Sequence, residues 1–238
     1  MMNQVFVALD VDTAEAAHAL TDTLRGVVGG FKIGSRLFTS HGPSIVEALV
    51  ARGDRVFLDL KVHDIPNTVA GAVVAATRLG VWMVNVHASG GHAMMKAAVD
   101  AADAESSRLS RPRPLVIAVT MLTSLSEETM DEIGVGGAMA SQVGRLAVLA
   151  QSAGLDGVVA SPQEIALIRN RCGHAFEIVT PGIRGASDDK GDQRRTMTAA
   201  DALSAGASYL VVGRPIIADP DPRAAAERID AECRAAVR

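Results

Sequence analysis

The chain has 238 residues, 48% of them hydrophobic and 21% charged, so it carries enough apolar mass for a full core and does not read as disordered. Its 23 basic and 27 acidic residues give a formal net charge of −4, and with aromatics at only 3% this argues against a nucleic-acid surface or a base-stacking platform. Two isolated cysteines, Cys172 and Cys233, make neither a disulfide framework nor a metal-binding pair.

The N-terminus, MMNQVFVALD, has no positively charged start and no long apolar stretch. No apolar run approaches the roughly 20 residues that a membrane helix needs. A soluble, cytoplasmic protein without membrane or nucleic-acid partners is therefore expected.

Eight short β-rich runs recur along the chain: Val5–Leu9, Phe31–Gly34, Val56–Lys61, Met83–Ala88, Leu115–Leu122, Gly157–Ser161, Phe176–Ile183 and Tyr209–Gly213. They are rich in Val and Ile and short, as strands buried on both faces should be. Helical patterns lie between them. Asp12 to Glu15 reads as a capping box, followed by Ala16, Leu20, Leu24 and Val27 at helical spacing. Pro66 suits a first helical turn, with Val69, Val73, Ala76 and Leu79 on one face. Ser161-Pro162 and Asp221-Pro222 are further helix starts. Strand–helix alternation of this kind predicts a (β/α)8 TIM barrel, an α/β fold, as a single catalytic domain over residues 1–238. A doubly wound open sheet is the alternative, weakened because no GxGxxG follows the first strand. The polar stretch Arg184–Arg195 reads as a surface loop or, at the end of a barrel strand, a lid.

The chemistry concentrates in Asp59-Leu-Lys-Val-His-Asp64-Ile-Pro-Asn-Thr68. A strand has a side-chain period of two, so Asp59 and Lys61 share one face while Leu58, Leu60 and Val62 take the other. In a barrel, the charged pair points inward at the end where active sites sit. A structural Asp–Lys ion pair would explain two charges. Asp10 at the end of strand one and Lys32 in strand two reach the same mouth, however, and with Asp64 make three acids and two bases at one end of the fold. Burying so many charges merely to build a core would be costly, so a site is the better reading. A Lys flanked by carboxylates stays charged and fixed, which suits a proton donor to a developing carbanion. A carboxylate in the same array would repel a substrate carboxylate, and together the two features suit loss of CO₂ followed by protonation of the same carbon. Strands seven and eight end in Thr180-Pro-Gly-Ile-Arg184 and Val211-Val-Gly-Arg214, where barrels of this kind often bind phosphate. Glycine admits a close backbone approach and Arg a bidentate contact.

These motifs resemble the orotidine 5′-phosphate decarboxylase family. DLKVHDIPNT is similar to the family signature DxKxxD-I-P-x-T. It is accompanied in order by ALD at Ala8–Asp10, FKIG around Lys32, NVHASGG at Asn85–Gly91, LTS at Leu122–Ser124, TPGIR and VVGR. The resemblance runs from Val5 to about Ile217. It implies a (β/α)8 barrel acting as a homodimer with active sites shared across the interface, no metal and no organic cofactor, and orotidine 5′-phosphate as substrate with UMP as product. It also implies an alternating Lys32-Asp59-Lys61-Asp64 array, with Lys61 protonating C6 of the pyrimidine and Asp59 beside the departing carboxylate. Asp64, Ile65 and Thr68 would reach the other subunit's site. Asp10 and Lys32 would bind ribose hydroxyls, Thr123 the pyrimidine, and Arg184, Gln193, Gly213 and Arg214 the phosphate, with Gln193 on a mobile loop. The usual Thr-x-Thr-Pro is here Thr196-Met-Thr198-Ala199.

His63, His87 and His92 could be imagined as metal ligands, but each is more simply read as hydrogen-bonding to backbone or solvent. The related ulonate-phosphate decarboxylases and hexulose-phosphate synthases carry a metal-aiding Glu where this chain has Lys32, which favours the nucleotide enzyme. A non-catalytic phosphate-binding barrel would need the arginines but not Asp59 and Lys61 together.

Overall fold

Eight parallel strands pair in chain order, and the last returns to the first, closing the sheet into a barrel. They are β1 (Met2–Ala8), β2 (Val28–Gly34), β3 (Val56–Val62), β4 (Met83–His87), β5 (Leu115–Val119), β6 (Gly157–Val159), β7 (Glu177–Thr180) and β8 (Tyr209–Val212). The computed structural model describes residues 2–185 and 196–236. Each predicted run holds a strand, and helices surround the sheet, so the molecule is a (β/α)8 TIM barrel. The runs around β5, β6 and β7 leave the sheet earlier than their composition suggests. Thr120–Leu122 and Pro181–Ile183 form the loops of the C-terminal mouth instead.

Alternation sorts the strand side chains into two cores. Val5, Val7, Leu9, Phe31, Ile33, Leu58, Val84 and Val86 face the helices in the larger core, with Leu60 and Val62 packed against it as the period of two predicts. Phe6, Ala8, Phe57, Met83, Ile117, Val179 and Val211 fill the barrel interior. Full burial of such a side chain stabilises the fold by about 1.5–3 kcal/mol.

The N-terminal end of the barrel is plugged. Phe6 stacks on Trp82 at 4.9 Å between ring centroids, Tyr209 meets Trp82 edge-on at 5.1 Å, and the Arg55 guanidinium lies 4.8 Å above Trp82. Gly30 makes room for this plug, since a Cβ there would lie 2.5 Å from the Phe6 ring. With one end of the barrel filled by aromatic rings, its C-terminal mouth is the end open to a ligand among the described residues.

The helix starts follow local chemistry with one correction. The first helix, Ala14–Leu24, is capped by Thr13 rather than Asp12, and the Thr13 hydroxyl accepts the Ala16 N–H at 3.2 Å. Pro66 opens the helix Pro66–Arg78, which buries Val69, Val73 and Ala76 as its spacing predicts. Ser161 caps a short 3-10 turn, Pro162–Glu164, ahead of the helix Ile165–Cys172, and Asp221 accepts the Ala224 N–H at 3.0 Å at the start of Pro222–Ala236. Buried Glu105 in the helix Gly91–Leu109 accepts from Arg78 and Arg108, each at 2.6 Å, and so ties two helices together. The hydrogen bonds from Arg108 and then Arg78 hold its carboxyl down at about 2. Among the described residues no helix is long and apolar enough to cross a membrane.

Candidate active site

The C-terminal ends of β1, β2 and β3 bring Asp10, Lys32, Asp59 and Lys61 into one row. Lys32 Nζ lies 3.2 Å from Asp10 Oδ1 and 3.5 Å from Asp59 Oδ2. Lys61 Nζ donates to Asp59 Oδ1 at 2.7 Å. The row therefore alternates acid, base, acid, base. Its middle members are the dry ones, with the side chains of Lys32 and Asp59 only 9% and 11% exposed. Buried charges of this kind persist only when each is paired, and here each has at least one opposite neighbour within 3.5 Å.

Lys61 reaches this position through an irregular strand. Between the pairs Leu58↔Val84 and Val62↔Val86, β3 advances four residues while β4 advances two. Lys61 takes a left-handed backbone with φ 54°. Bulges of this sort re-aim a side chain and recur beside active sites. The Lys61 N–H donates to the side chain of Asn85, at 2.8 Å to Oδ1. The Asn85 Nδ2 donates to Asp59 Oδ1 at 2.6 Å.

Above the row opens a cavity of about 530 Å³, the size range of a small-molecule site. Asp10, Lys32, Asp59 and Lys61 form one wall, and Thr123, Arg184, Gly213 and Arg214 line the rest with Met121, Leu122, Pro181 and Gly182. Arg184 is anchored by its backbone N–H, which donates to the Met197 carbonyl at 3.0 Å beside the bridge Ile183↔Met197, and its guanidinium donates to the Ile183 carbonyl at 2.7 Å. A row of paired acids and bases together with two arginines in one cavity suits a ligand with a phosphate at one end and polar, reactive groups at the other.

The sequence-predicted residues divide clearly. Asp10, Lys32, Asp59, Lys61, Thr123, Arg184, Gly213 and Arg214 all line the cavity. Asp64, Ile65 and Thr68 do not. They are exposed, Asp64 and Ile65 on the turn into Pro66–Arg78 and Thr68 in its first turn; Asp64 accepts the Ile65 N–H at 2.6 Å and Ile65 is 66% exposed. Within this chain the row starts at Asp10 and ends at Lys61, without Asp64. Gln193, like most of the predicted lid Arg184–Arg195, lies outside the described residues.

Two residues were not foreseen. Arg36 lines the cavity and pairs with Asp12 at its rim. Asn85 is fully buried and bonded to both Asp59 and Lys61. Its signal was present, as a lone amide in the inward register of the otherwise apolar run Met83–Val86. Among the histidines, His92 reaches the Ser152 carbonyl at 3.2 Å, whereas His63 and His87 stack on each other with centroids 5.5 Å apart. Burial pushes the His87 pKa down, helped by the charges of His63 and Lys61 and opposed by Asp59. Among the described residues no three His, Cys, Asp or Glu side chains cluster as metal ligands.

Comparisons with known proteins agree with this geometry. The sequence model of the orotidine 5′-phosphate decarboxylase / HUMPS family matches residues 3–229. The chain is 56% identical over 231 residues to the orotidine 5′-phosphate decarboxylase of Moorella thermoacetica, covering 97% of this chain and 92% of the relative. It is 51% identical to that of Syntrophotalea carbinolica over 98% of this chain and 96% of the relative. Among solved structures it is similar to the orotidine 5′-phosphate decarboxylase of Lactobacillus acidophilus, with a TM-score of 0.86 and 38% identity, covering 97% of this chain and 98% of that one.

Proposed function

The chain belongs to the orotidine 5′-phosphate decarboxylase / HUMPS family, and on that premise we propose that it converts orotidine 5′-phosphate to UMP and CO₂, the last step of UMP synthesis, in the cavity at the barrel mouth. The observation that carries this reading is that the row Asp10–Lys32–Asp59–Lys61 and the two arginines Arg184 and Arg214 line one cavity.

The substrate has one feature for each wall. Its phosphate goes to Arg184, Arg214 and the backbone at Gly213, with Gln193 assigned to the same set from sequence alone. Thr123 meets the pyrimidine, and Asp10 with Lys32 holds the ribose hydroxyls. The C6 carboxylate then lies beside Asp59 and within reach of Lys61. The bond from C6 to the carboxylate carbon breaks and leaves its electron pair on C6. CO₂ departs, a proton moves from Lys61 Nζ to C6, and solvent returns a proton to the amine. An sp² carbanion at C6 has little delocalisation, so a fixed ammonium beside it stabilises charge as it forms. Preorganised groups of this kind contribute about 10²–10³ in rate each. Repulsion between Asp59 and the substrate carboxylate adds strain that phosphate binding offsets.

The exposed group Asp64, Ile65 and Thr68 reaches the cavity of a second copy in a homodimer. The 66% exposure of apolar Ile65 beside the mouth supports this, because a partner would cover it. The uninterrupted strand order supports one catalytic domain over the whole chain, and we infer that it works on a small molecule in the cytoplasm. Lys32 is bound to Asp10 and Asp59, where the resemblance implies a metal-aiding Glu in the sugar-phosphate relatives, and this supports a reaction without a metal; the resemblance also implies no organic cofactor. The test is loss of orotidine 5′-phosphate absorbance with purified protein after exhaustive chelation. Steady turnover is expected, and a strict requirement for a divalent cation would move the assignment to those sugar-phosphate relatives.

A further inference from the structure

Asn85 has no place among the substrate contacts, yet it is wholly buried and both ends of its amide are used on the two residues nearest the chemistry. β2 ends at Gly34, opposite Asp59, and the register between β3 and β4 shifts between Leu58 and Val62, so Lys61 lies outside the regular ladder; Asn85 Oδ1 accepts its N–H at 2.8 Å. The same amide's Nδ2 donates to Asp59 Oδ1 at 2.6 Å, the oxygen that also accepts from Lys61 Nζ. Only one orientation of the amide satisfies both bonds. We propose that Asn85 is a positioning residue for the decarboxylation: it holds Lys61 in its left-handed backbone and fixes the Asp59 carboxylate, so that ammonium and carboxylate meet the substrate as one rigid unit. The inference rests on the decarboxylase reading, because it assigns Asn85 a role in aiming Lys61 at C6.

The discriminating variant is Asn85→Asp. A protonated Asp at this position keeps both bonds, its carbonyl oxygen accepting from Lys61 and its hydroxyl donating to Asp59. An ionised one places two carboxylates in contact and loses the donor. Burial and the neighbouring carboxylate favour the protonated form, and the pair releases that proton as pH rises. The charged and titratable groups facing position 85 are Asp59, Lys61 and His63 from β3 and the turn after it, Lys32 on β2, and His87 on β4 itself. All are unchanged between variant and wild type, so the ratio of their kcat values isolates the new group.

The experiment measures kcat and KM for orotidine 5′-phosphate between about pH 5 and 9, with UMP affinity by calorimetry and fold by circular dichroism, for wild type, Asn85→Asp and Asn85→Leu. The expected result is that Asn85→Asp approaches wild-type kcat at the acid end and falls away by tenfold or more as pH rises. Asn85→Leu should stay about 10–100-fold down in kcat at every pH. UMP affinity should hold within about twofold, since Asn85 is not among the residues that line the cavity. Wild-type kcat in both variants, or equal pH-independent losses in both with UMP affinity lost in parallel, would overturn the proposal in favour of packing alone. Failure of Asn85→Asp to fold even at the acid end, where its bonding matches Asn, would overturn it too. A wild-type chain that does not turn over orotidine 5′-phosphate would instead bring down the decarboxylase reading itself.

Discussion

The left-handed backbone at Lys61 separates two contributions that a single substitution would mix. Lys61 carries φ 54°, a region that costs an L-residue with a Cβ about 1–2 kcal/mol and costs glycine almost nothing. Replacing Lys61 by Ala removes the ammonium but keeps that strain. Replacing it by Gly removes both. On the activity side the two variants should be equally poor. Proton delivery contributes about 10²–10⁴ and charge stabilisation at C6 about 10²–10³, so kcat should fall by at least about 10⁴ in each. On the stability side they should part. Glycine relieves about 1–2 kcal/mol of strain but gives back roughly 0.5–1 kcal/mol through its freer unfolded chain. The net advantage over Ala is thus a fraction of a kcal/mol up to about 1.5 kcal/mol, or about 1–5 °C in Tm for a chain of this size. The assays are absorbance loss with orotidine 5′-phosphate and thermal melts by circular dichroism, with UMP affinity showing that the cavity is intact. Normal turnover in either variant would refute the proton-donor role. A Gly variant melting no higher than the Ala variant would refute the strain.

Other outcomes follow from the same geometry. Arg214→Ala, which removes one cation from the phosphate wall, should weaken UMP binding by about 10–100-fold, the worth of one charge-assisted contact, while leaving uridine affinity unchanged; equal loss for both ligands would count against the phosphate assignment. Mixing inactive Lys61→Ala chains with inactive Asp64→Ala chains should restore partial activity, because a heterodimer holds one site with both native residues; no recovery on mixing would sink the shared site. Glu105→Gln should lower Tm at pH 7. The wild-type carboxyl is depressed from 4.5 to about 2, so its stabilisation is fully present above the unfolded value and is lost as pH falls through 4.5 towards 2. The gap in Tm between variant and wild type should therefore close over that range, and a gap independent of pH would refute the ion-pair account.

The barrel was legible because its strands are buried on both faces, which forces continuous Val and Ile runs of the right length. Against that background, charges at Lys32, Asp59 and Lys61 stand out, and the period of two places the last pair inward without further information. The same argument stops at the end of β3. Asp64 follows Val62 by two residues, outside the strand, so its direction is set by the turn into Pro66 and no periodicity could assign it to the row. The first helix shows a smaller version of the limit. Asp12 and Thr13 are both good caps, and the path of the chain leaving β1 selects Thr13.

Asn85 stood out as a lone amide, but its role was illegible for a deeper reason. Its importance comes from a neighbour's irregularity rather than from its own strand. In regular β3, residues 59 and 61 would stand about 6.6 Å apart with side chains pointing the same way into the barrel. The bulge turns Lys61 back so that Nζ lies 2.7 Å from Asp59, at the expense of a strained residue and an orphaned N–H. Strain of this kind, about 1–3 kcal/mol, persists only when surrounding structure over-determines it, and a buried N–H without a partner adds about 1–3 kcal/mol more. One side chain on β4 answers both demands, by accepting the orphaned N–H and bracing the carboxylate that Lys61 must meet. The orientation of the ammonium at the barrel mouth thus depends on a residue that does not line the cavity, through two hydrogen bonds that join β4 to both members of the reacting pair.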